Sequence, residues 1–400
     1  MSARASTVDI PRRAWIVLVL GVAAQAMTTV AIVAPSLLIP LLHTERGLGL
    51  AEAGLLASAP SLGMVAALIA WGAIADRFGE KWVITVGLVL TAAAGLGAIL
   101  APNLGVLGVW FLALGMTAAS SNAASGRVVM GWFPRERRGL AMGIRQMSQP
   151  LGTTIAALTI PVIADSSGIA AALVVPVALC VVAATACALG LVNPPRRPAP
   201  APDAATPGNP YRASSFLVRV HAVSVLLVLP QAMLSTFGLV WLVAGHGWSP
   251  LSAGIVLGIA QFVGAIGRIL VGVGSDRLGS RVRLLRWVAA AAGLVMLLLG
   301  AADGAGWTAA VAIFVLATTV TVADNGLAFT SVAEGAGPRW AGRALGVQNT
   351  GQFIASGVAG PLLGGLIALV GYPLAFALIG IAPFLAIPLV PRADVEHESA

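Results

Sequence analysis

Twelve apolar runs, each about 20 residues or longer and parted by short polar turns, leave this chain almost no choice of fold. They cover 14–42, 52–74, 82–101, 104–132, 140–164, 168–192, 216–244, 250–274, 284–302, 307–333, 343–369 and 372–390. Inside lipid, backbone polar groups are satisfied only in helices or closed barrels. The runs are too long for barrel strands and lack their period-two alternation. Charge content excludes a soluble domain: 10% of the residues are charged, against roughly 25% in an average globular protein. The expected fold is an all-α membrane protein of twelve transmembrane helices, numbered 1 to 12 in chain order.

The basic residues then set the orientation. With the N-terminus inside, Arg4, Arg12, Arg13, Arg77, Lys81, Arg127, Arg135, Arg137, Arg138, Arg196, Arg197, Arg212, Arg277, Arg281, Arg283, Arg286, Arg339, Arg343 and Arg392 all fall at cytoplasmic ends or loops. Arg46 alone falls on an external one. This is the positive-inside pattern, and it puts both termini in the cytoplasm. The net charge of +8 is therefore a matter of topology. Its dispersal over separate loops argues against a nucleic-acid partner. The first run, after Pro11-Arg12-Arg13, is longer than the core of a cleaved signal peptide. Cys180 and Cys187 lie seven residues apart in helix 6, about 10 Å along its axis and too far for a disulfide, so they read as packing residues.

Half a chain apart, the sequence repeats itself. Gly72-Ala-Ile-Ala-Asp76-Arg77-Phe-Gly79-Glu80-Lys81 ends the second run, and Gly272-Val-Gly-Ser-Asp276-Arg277-Leu-Gly279-Ser-Arg281 ends the eighth. Gln25-Ala-Met in helix 1 matches Gln231-Ala-Met in helix 7, Asn122 matches Asn325, and Gln149 matches Gln352. The proline- and alanine-rich stretch 194–215 reads as a cytoplasmic linker between an N-terminal bundle, 1–193, and a C-terminal bundle, 216–400. The Asp-Arg-x-Gly turns resemble the loop signature of the major facilitator superfamily, found between the second and third helices of each half. That resemblance covers the whole chain. It implies two pseudo-symmetric six-helix bundles that rock about a central substrate site, hence a secondary transporter and not an enzyme.

Polar residues within the runs are the candidates for transport, because a charge at mid-helix costs roughly 2.5–3.5 kcal/mol on insertion scales. Counting inward from the cytoplasmic turns places Arg268 at about 12 Å, Asp324 at about 15 Å and Gln149 at about 16 Å depth, levels at which the three could meet. The string Gly267-Arg268-Ile-Leu-Val-Gly resembles helix 8 of the oxalate/formate and monocarboxylate branches. There the helix-8 arginine helps hold the substrate carboxylate, and a guanidinium fork suits that role. The alternative is an arginine paired with Asp324 or with helix carbonyls. Gly264 stands where monocarboxylate carriers place an acidic partner, and Leu68 stands where nitrate carriers place a second arginine. A singly charged organic anion is therefore expected. The expected substrate-binding set is Arg268 with Gln25, Gln149, Gln231, Gln261, Asn349 and Gln352. Asp324, the one acidic residue deep in a run, is the candidate for proton coupling. Its alternative is a static pair with Arg268 or Arg145, or a bond to Asn325.

Asp76 and Asp276 are assigned by the resemblance to gating at the cytoplasmic edge, with Arg77, Lys81, Arg127, Arg277 and Arg281 as candidate partners; Arg145, about 10 Å from Arg138 along its helix, is a candidate for the same inner gate. Glu80 departs from the family pattern at a basic position. Trp110 and Phe111 occupy the region where proton-linked drug exporters carry an arginine, which argues against a standard multidrug exporter. Drug or amphipath efflux stays the competing reading, with a non-transporting membrane sensor as a remote one. His43, His221, His246 and His397 have no metal-ligand spacing, and no phosphate-binding loop is present. No cofactor or metal is expected, and His221 reads as a solvated interfacial histidine. Lys81 is the only lysine, a bias of GC-rich genomes. The expected setting is a bacterial plasma membrane, and the expected state a monomer whose partners are lipids, the substrate and protons.

Overall fold

A computed structural model describes residues 11–133, 141, 144–193 and 209–394, apart from the side chains of Asp76, residues 126–130, Asp276, Pro338 and Arg339. Most of the expected linker, 194–215, and most of the helix 4–5 turn lie outside the described residues. Helices dominate throughout. In chain order they are α1 Arg12–Leu37, α2 Leu50–Phe78, α3 Glu80–Ile99 and α4 Leu104–Trp132. The long helix Ser148–Gly190 turns back at Gly168 and so supplies two spans, α5 and α6. Then follow α7 Phe216–Val240, α8 Pro250–Leu278, α9 Arg281–Gly304 and the first limb of α10, Ala310–Thr321. Asp324–Ile379 continues α10, turns at Gly337 into α11 and turns again at Gly371 into α12. Twelve spans result, as the runs predict.

The repeated turns show why their glycines are there. Gly79 has φ 84° and Gly279 has φ 64°, a region that costs a residue with a Cβ about 1–2 kcal/mol. Each lets one helix end and the next begin within two residues. A second correspondence appears beside them. Asn193, after α6, accepts from the backbone N–H of Lys81 at 2.8 Å. Asp394, after α12, accepts from the N–H groups of Arg281 and Val282 at 3.2 and 3.1 Å. The chain leaving each bundle thus caps that bundle's third helix, satisfying donors that a helix start leaves open.

Packing divides the molecule along its long axis. At the end away from the Arg77–Lys81 and Arg277–Arg286 turns, one apolar core draws buried residues from all twelve spans, including Leu42, Phe111, Ile160, Phe237, Trp241, Phe314 and Phe376. At the basic end there are separate cores. One, from Val17 to Leu191, belongs to the first six spans, and another, from Phe216 to Val390, belongs to the last six. Phe353 of α11, packed on Met64, Ala67 and Ala119, bridges the halves near mid-height.

Glycines make the closed end possible. A Cβ at Gly54 of α2 would run into the carbonyl of Gly360 in α11, and one at Gly364 into the carbonyl of Leu50. Across the other seam, a Cβ at Gly254 of α8 would strike the carbonyl of Ala157 in α5. Backbones approach this closely only where side chains are missing, which matters in lipid, where apolar burial drives little association. Gly346 lies eleven residues from Gly357, about three helical turns, and so shares its face of α11. Gly342 and Gly346 nevertheless meet nothing within 4 Å. The same face of α11 is sealed at one end and open at the other.

Candidate functional site

Helix α10 breaks where the candidate acid sits. Thr318, Thr319 and Thr321 each bond back to carbonyls of their own helix, at 2.9, 2.9 and 3.3 Å, a habit that bends helices. The α-helix stops at Thr321 and resumes at Asp324. Asp324 therefore starts a helix, where the macrodipole favours a carboxylate. At the break the Val322 carbonyl accepts from the Asn325 N–H at 3.4 Å and from Arg268 Nε of α8 at 3.2 Å.

Around this point the last six spans assemble a polar chain. Gln231 of α7 donates through Nε2 to Asp324 Oδ1 at 2.9 Å, and its Oε1 accepts from Asn325 Nδ2 at 3.1 Å. Gln352 of α11 donates to Asn325 Oδ1 at 3.3 Å and to Ser224 Oγ at 2.8 Å. Asp324 is 1% exposed, and its Oδ2 has no hydrogen-bond partner among the described residues. Arg268 lies within electrostatic reach of that carboxylate but forms no ion pair with it among the described residues. Its hydrogen bond runs from Nε, and both terminal nitrogens are unbonded among those residues. Arg268 is partly buried.

The first six spans carry a smaller and differently charged counterpart. Gln25 of α1, 4% exposed, accepts from Ser125 Oγ of α4 at 2.8 Å. Ser125 in turn accepts from Arg145 Nε at 3.0 Å, and Arg145 also reaches Gln146 Oε1 at 3.3 Å. Gln25 and Gln231 thus occupy matching places, but one leads to a cation and the other to an acid. Ser125 could have been found as one helical turn on from Asn122. Ser224 and the Val322 carbonyl carry no sequence signal of that kind.

Other expected site residues are placed less decisively. Gln149 is exposed, while Gln261 and Asn349 are partly so; none makes a hydrogen bond among the described residues. Arg145 points into the α1–α4 polar chain. Arg77 and Arg277 are exposed, and Arg77 lies over the Phe78 ring at 5.4 Å. The side chains of Asp76, Asp276 and Arg127 lie outside the described residues. Arg281 bonds Glu334 of α10, at 3.2 Å from Nη2, and Ser275 Oγ at 2.6 Å. The solvated reading of His221 is corrected. Its ring is partly buried, stacks on Tyr211, and bonds both Tyr211 Oη at 3.0 Å and Gln348 Oε1 at 2.5 Å. Gln348 is 2% exposed and serves this pair.

Comparison with known proteins agrees with this architecture. Residues 18–359 match the profile described as Major Facilitator Superfamily. An uncharacterized MFS-type transporter of Mycobacterium tuberculosis is 45% identical over 377 residues, 94% of this chain and 84% of that protein. Among solved structures, a D-xylose-proton symporter superposes with a TM-score of 0.76 at 14% identity, covering 96% of this chain and 98% of the other. A bacterial homolog of the human lysosomal transporter Spinster, inward-facing and occupied, gives 0.71 at 16% identity, covering 94% of each chain. At such identities these two likenesses concern the fold.

Proposed function

The chain belongs to the major facilitator superfamily, as a multi-pass membrane transporter, and we propose that its substrate is a small organic anion of monocarboxylate type held by Arg268. The observation that carries this reading is the guanidinium itself. Its Nε is fixed on the Val322 carbonyl, while both terminal nitrogens are unbonded among the described residues at the level of the α10 break. A planar fork anchored at one edge and open at the other suits bidentate recognition of a carboxylate. Gln25, Gln149, Gln231, Gln261, Asn349 and Gln352 complete the proposed lining. Asp324, held by a neutral carboxamide and close to the Arg268 charge, is the proposed proton carrier. Its spare Oδ2 is the place for the proton.

The proposed cycle is alternating access by the bundles 1–193 and 216–400 about the 194–215 linker. Asp76, Arg77, Arg127, Arg145, Asp276 and Arg277 bias the two end states at the basic end. The distribution of arginines supports a cytoplasmic basic end and cytoplasmic termini in a bacterial plasma membrane. On that orientation, the split cores at the basic end support a carrier open to the cytoplasm.

A thermal-shift screen of purified protein tests the substrate class, since a ligand of the folded state raises apparent stability. Small monocarboxylates should stabilise the wild type, and neutral analogues and hydrophobic cations should not. Arg268→Gln should abolish the carboxylate effect. Stabilisation by hydrophobic cations alone would move the protein to the efflux reading. Rescue of Arg268→Gln stability by Asp324→Asn, with anion affinity unchanged in the double variant, would make Arg268 a structural residue.

A further inference from the structure

On the membrane-facing side of the last six spans, α8, α9 and α10 enclose a groove of about 270 Å³. Gly267 and Val271 form one wall, Trp287, Val288 and Ala291 the other, and Thr319, Val320 and Ala323 the floor. The one side-chain hydroxyl among these lining residues, on Thr319, is turned to the Val315 carbonyl of its own helix. Apart from the Trp287 indole N–H the lining side chains offer water no free partner, and a hollow so largely apolar favours hydrocarbon over water. It exists because side chains are small at the helix contact: a Cβ at Gly267 would come within 2.9 Å of the Thr319 side chain.

One end of the groove is cationic. Arg283 lies one turn from Trp287, its guanidinium carbon 5.6 Å from the indole centroid. Arg283 is exposed and makes no ion pair among the described residues. Its neighbours are committed elsewhere, Arg281 to Glu334 and Arg286 to the Pro391 carbonyl at 3.1 Å. From Arg283 to Ala291 the wall of α9 runs two turns, about 12 Å into the membrane. Trp287 is 58% exposed, and its indole ring suits the headgroup boundary.

We propose that this groove is a binding site for one acyl chain of an anionic phospholipid, whose phosphate is held by Arg283. A membrane-facing apolar slot within the spans is filled by lipid tails, and the arginine at its mouth, which has no ion pair among the described residues, selects a negative headgroup over a zwitterionic one. The floor gives the site a consequence. Gly267 adjoins Arg268 and Ala323 adjoins Asp324 in the chain, so a seated tail supports from behind the α8–α10 contact that positions both groups. The inference rests on the span assignment and is independent of the substrate's identity.

Trp287 is its own reporter. The full chain is reconstituted in phosphatidylcholine vesicles carrying a minor fraction of brominated phosphatidylglycerol or, separately, brominated phosphatidylcholine. The quenching lost on Trp287→Phe isolates that indole from the chain's other tryptophans. Brominated phosphatidylglycerol should act on Trp287 as if enriched roughly five-fold, the factor that one arginine near an anionic surface supplies. Arg283→Gln should equalise the two lipids. Ala291→Phe, which fills the slot without touching the arginine, should also remove the difference. Equal quenching of the wild type by both lipids would overturn the proposal. So would a phosphatidylglycerol preference that survives Arg283→Gln. A preference that survives Ala291→Phe would reduce the site to headgroup attraction and overturn the groove.

Discussion

Gln231 Nε2 donates to Asp324 Oδ1 at 2.9 Å, so the buried acid of α10 is held by a carboxamide from α7 and not by the nearby Arg268. A neutral holder stays in place whether the carboxyl carries a proton or not. The terminal nitrogens of Arg268 make no hydrogen bond among the described residues.

Asp324→Asn should leave the fold intact, because an asparagine oxygen can still accept from Gln231. Among the described residues it removes the one carboxyl of the polar chain near Arg268. Uptake driven by a proton gradient in proteoliposomes should fall to background while substrate exchange persists. Gradient-driven uptake at the wild-type rate would place coupling elsewhere.

Arg268→Lys keeps the charge and removes the fork. One charge-assisted hydrogen bond contributes about 1.5–3 kcal/mol, so anion affinity should fall roughly ten- to a hundredfold by titration calorimetry. The melting temperature should change little, since the folded state loses one bond to Val322. Unchanged affinity would mean that the substrate does not touch the guanidinium.

Gly360→Leu and Gly346→Leu should act in opposite senses. The first drives a side chain into Ser58 and the Gly54 carbonyl and should open the end sealed by α2 and α11. The second enters open space and should leave this conformation intact while obstructing closure at the basic end. Spin-label distances across each end would register opposite population shifts. A common shift in both variants would contradict the sealed-and-open description of α11.

The spans were legible because lipid imposes a length and a composition on every crossing helix. The Asp-Arg turns were legible because their glycines need positive φ. Residue counting put Arg268 and Asp324 at similar depth, and Arg268 bonds the carbonyl of Val322, two residues before that acid. What escaped was contact-dependent. The identity of Asp324's partner depends on how α7 faces α10, and the engagement of His221 depends on Tyr211 and Gln348, from two other segments. Helix α10 reads as one continuous apolar run, so its break at Val322–Ala323 was not foreseen. The threonine run that bends it was in plain view, but back-bonding there is a choice the folded helix makes.

Asp394→Ala should lower stability by about 1 kcal/mol, the usual worth of a helix cap, because two N–H groups at the start of α9 lose their acceptor. Asn193→Ala should do the same, somewhat less, at α3, where one N–H is involved. Chemical denaturation in a mixed micelle would measure both. A stabilising effect of either would show that the cap strains the turn it closes.

The half-used glycine face of α11 also bears on how fast such a molecule can work. A carrier must exchange one seal for another many times, and any difference in their strength becomes a barrier on one leg of the round trip. Here Gly357, Gly360 and Gly364 grip α2 while Gly342 and Gly346, of the same kind and on the same face, wait unoccupied. Were Gly342 and Gly346 to form a like seal at the other end, the two closed forms would be near equals in free energy, and a weak bias, of the size a single bound ion supplies, would be enough to set the direction of travel.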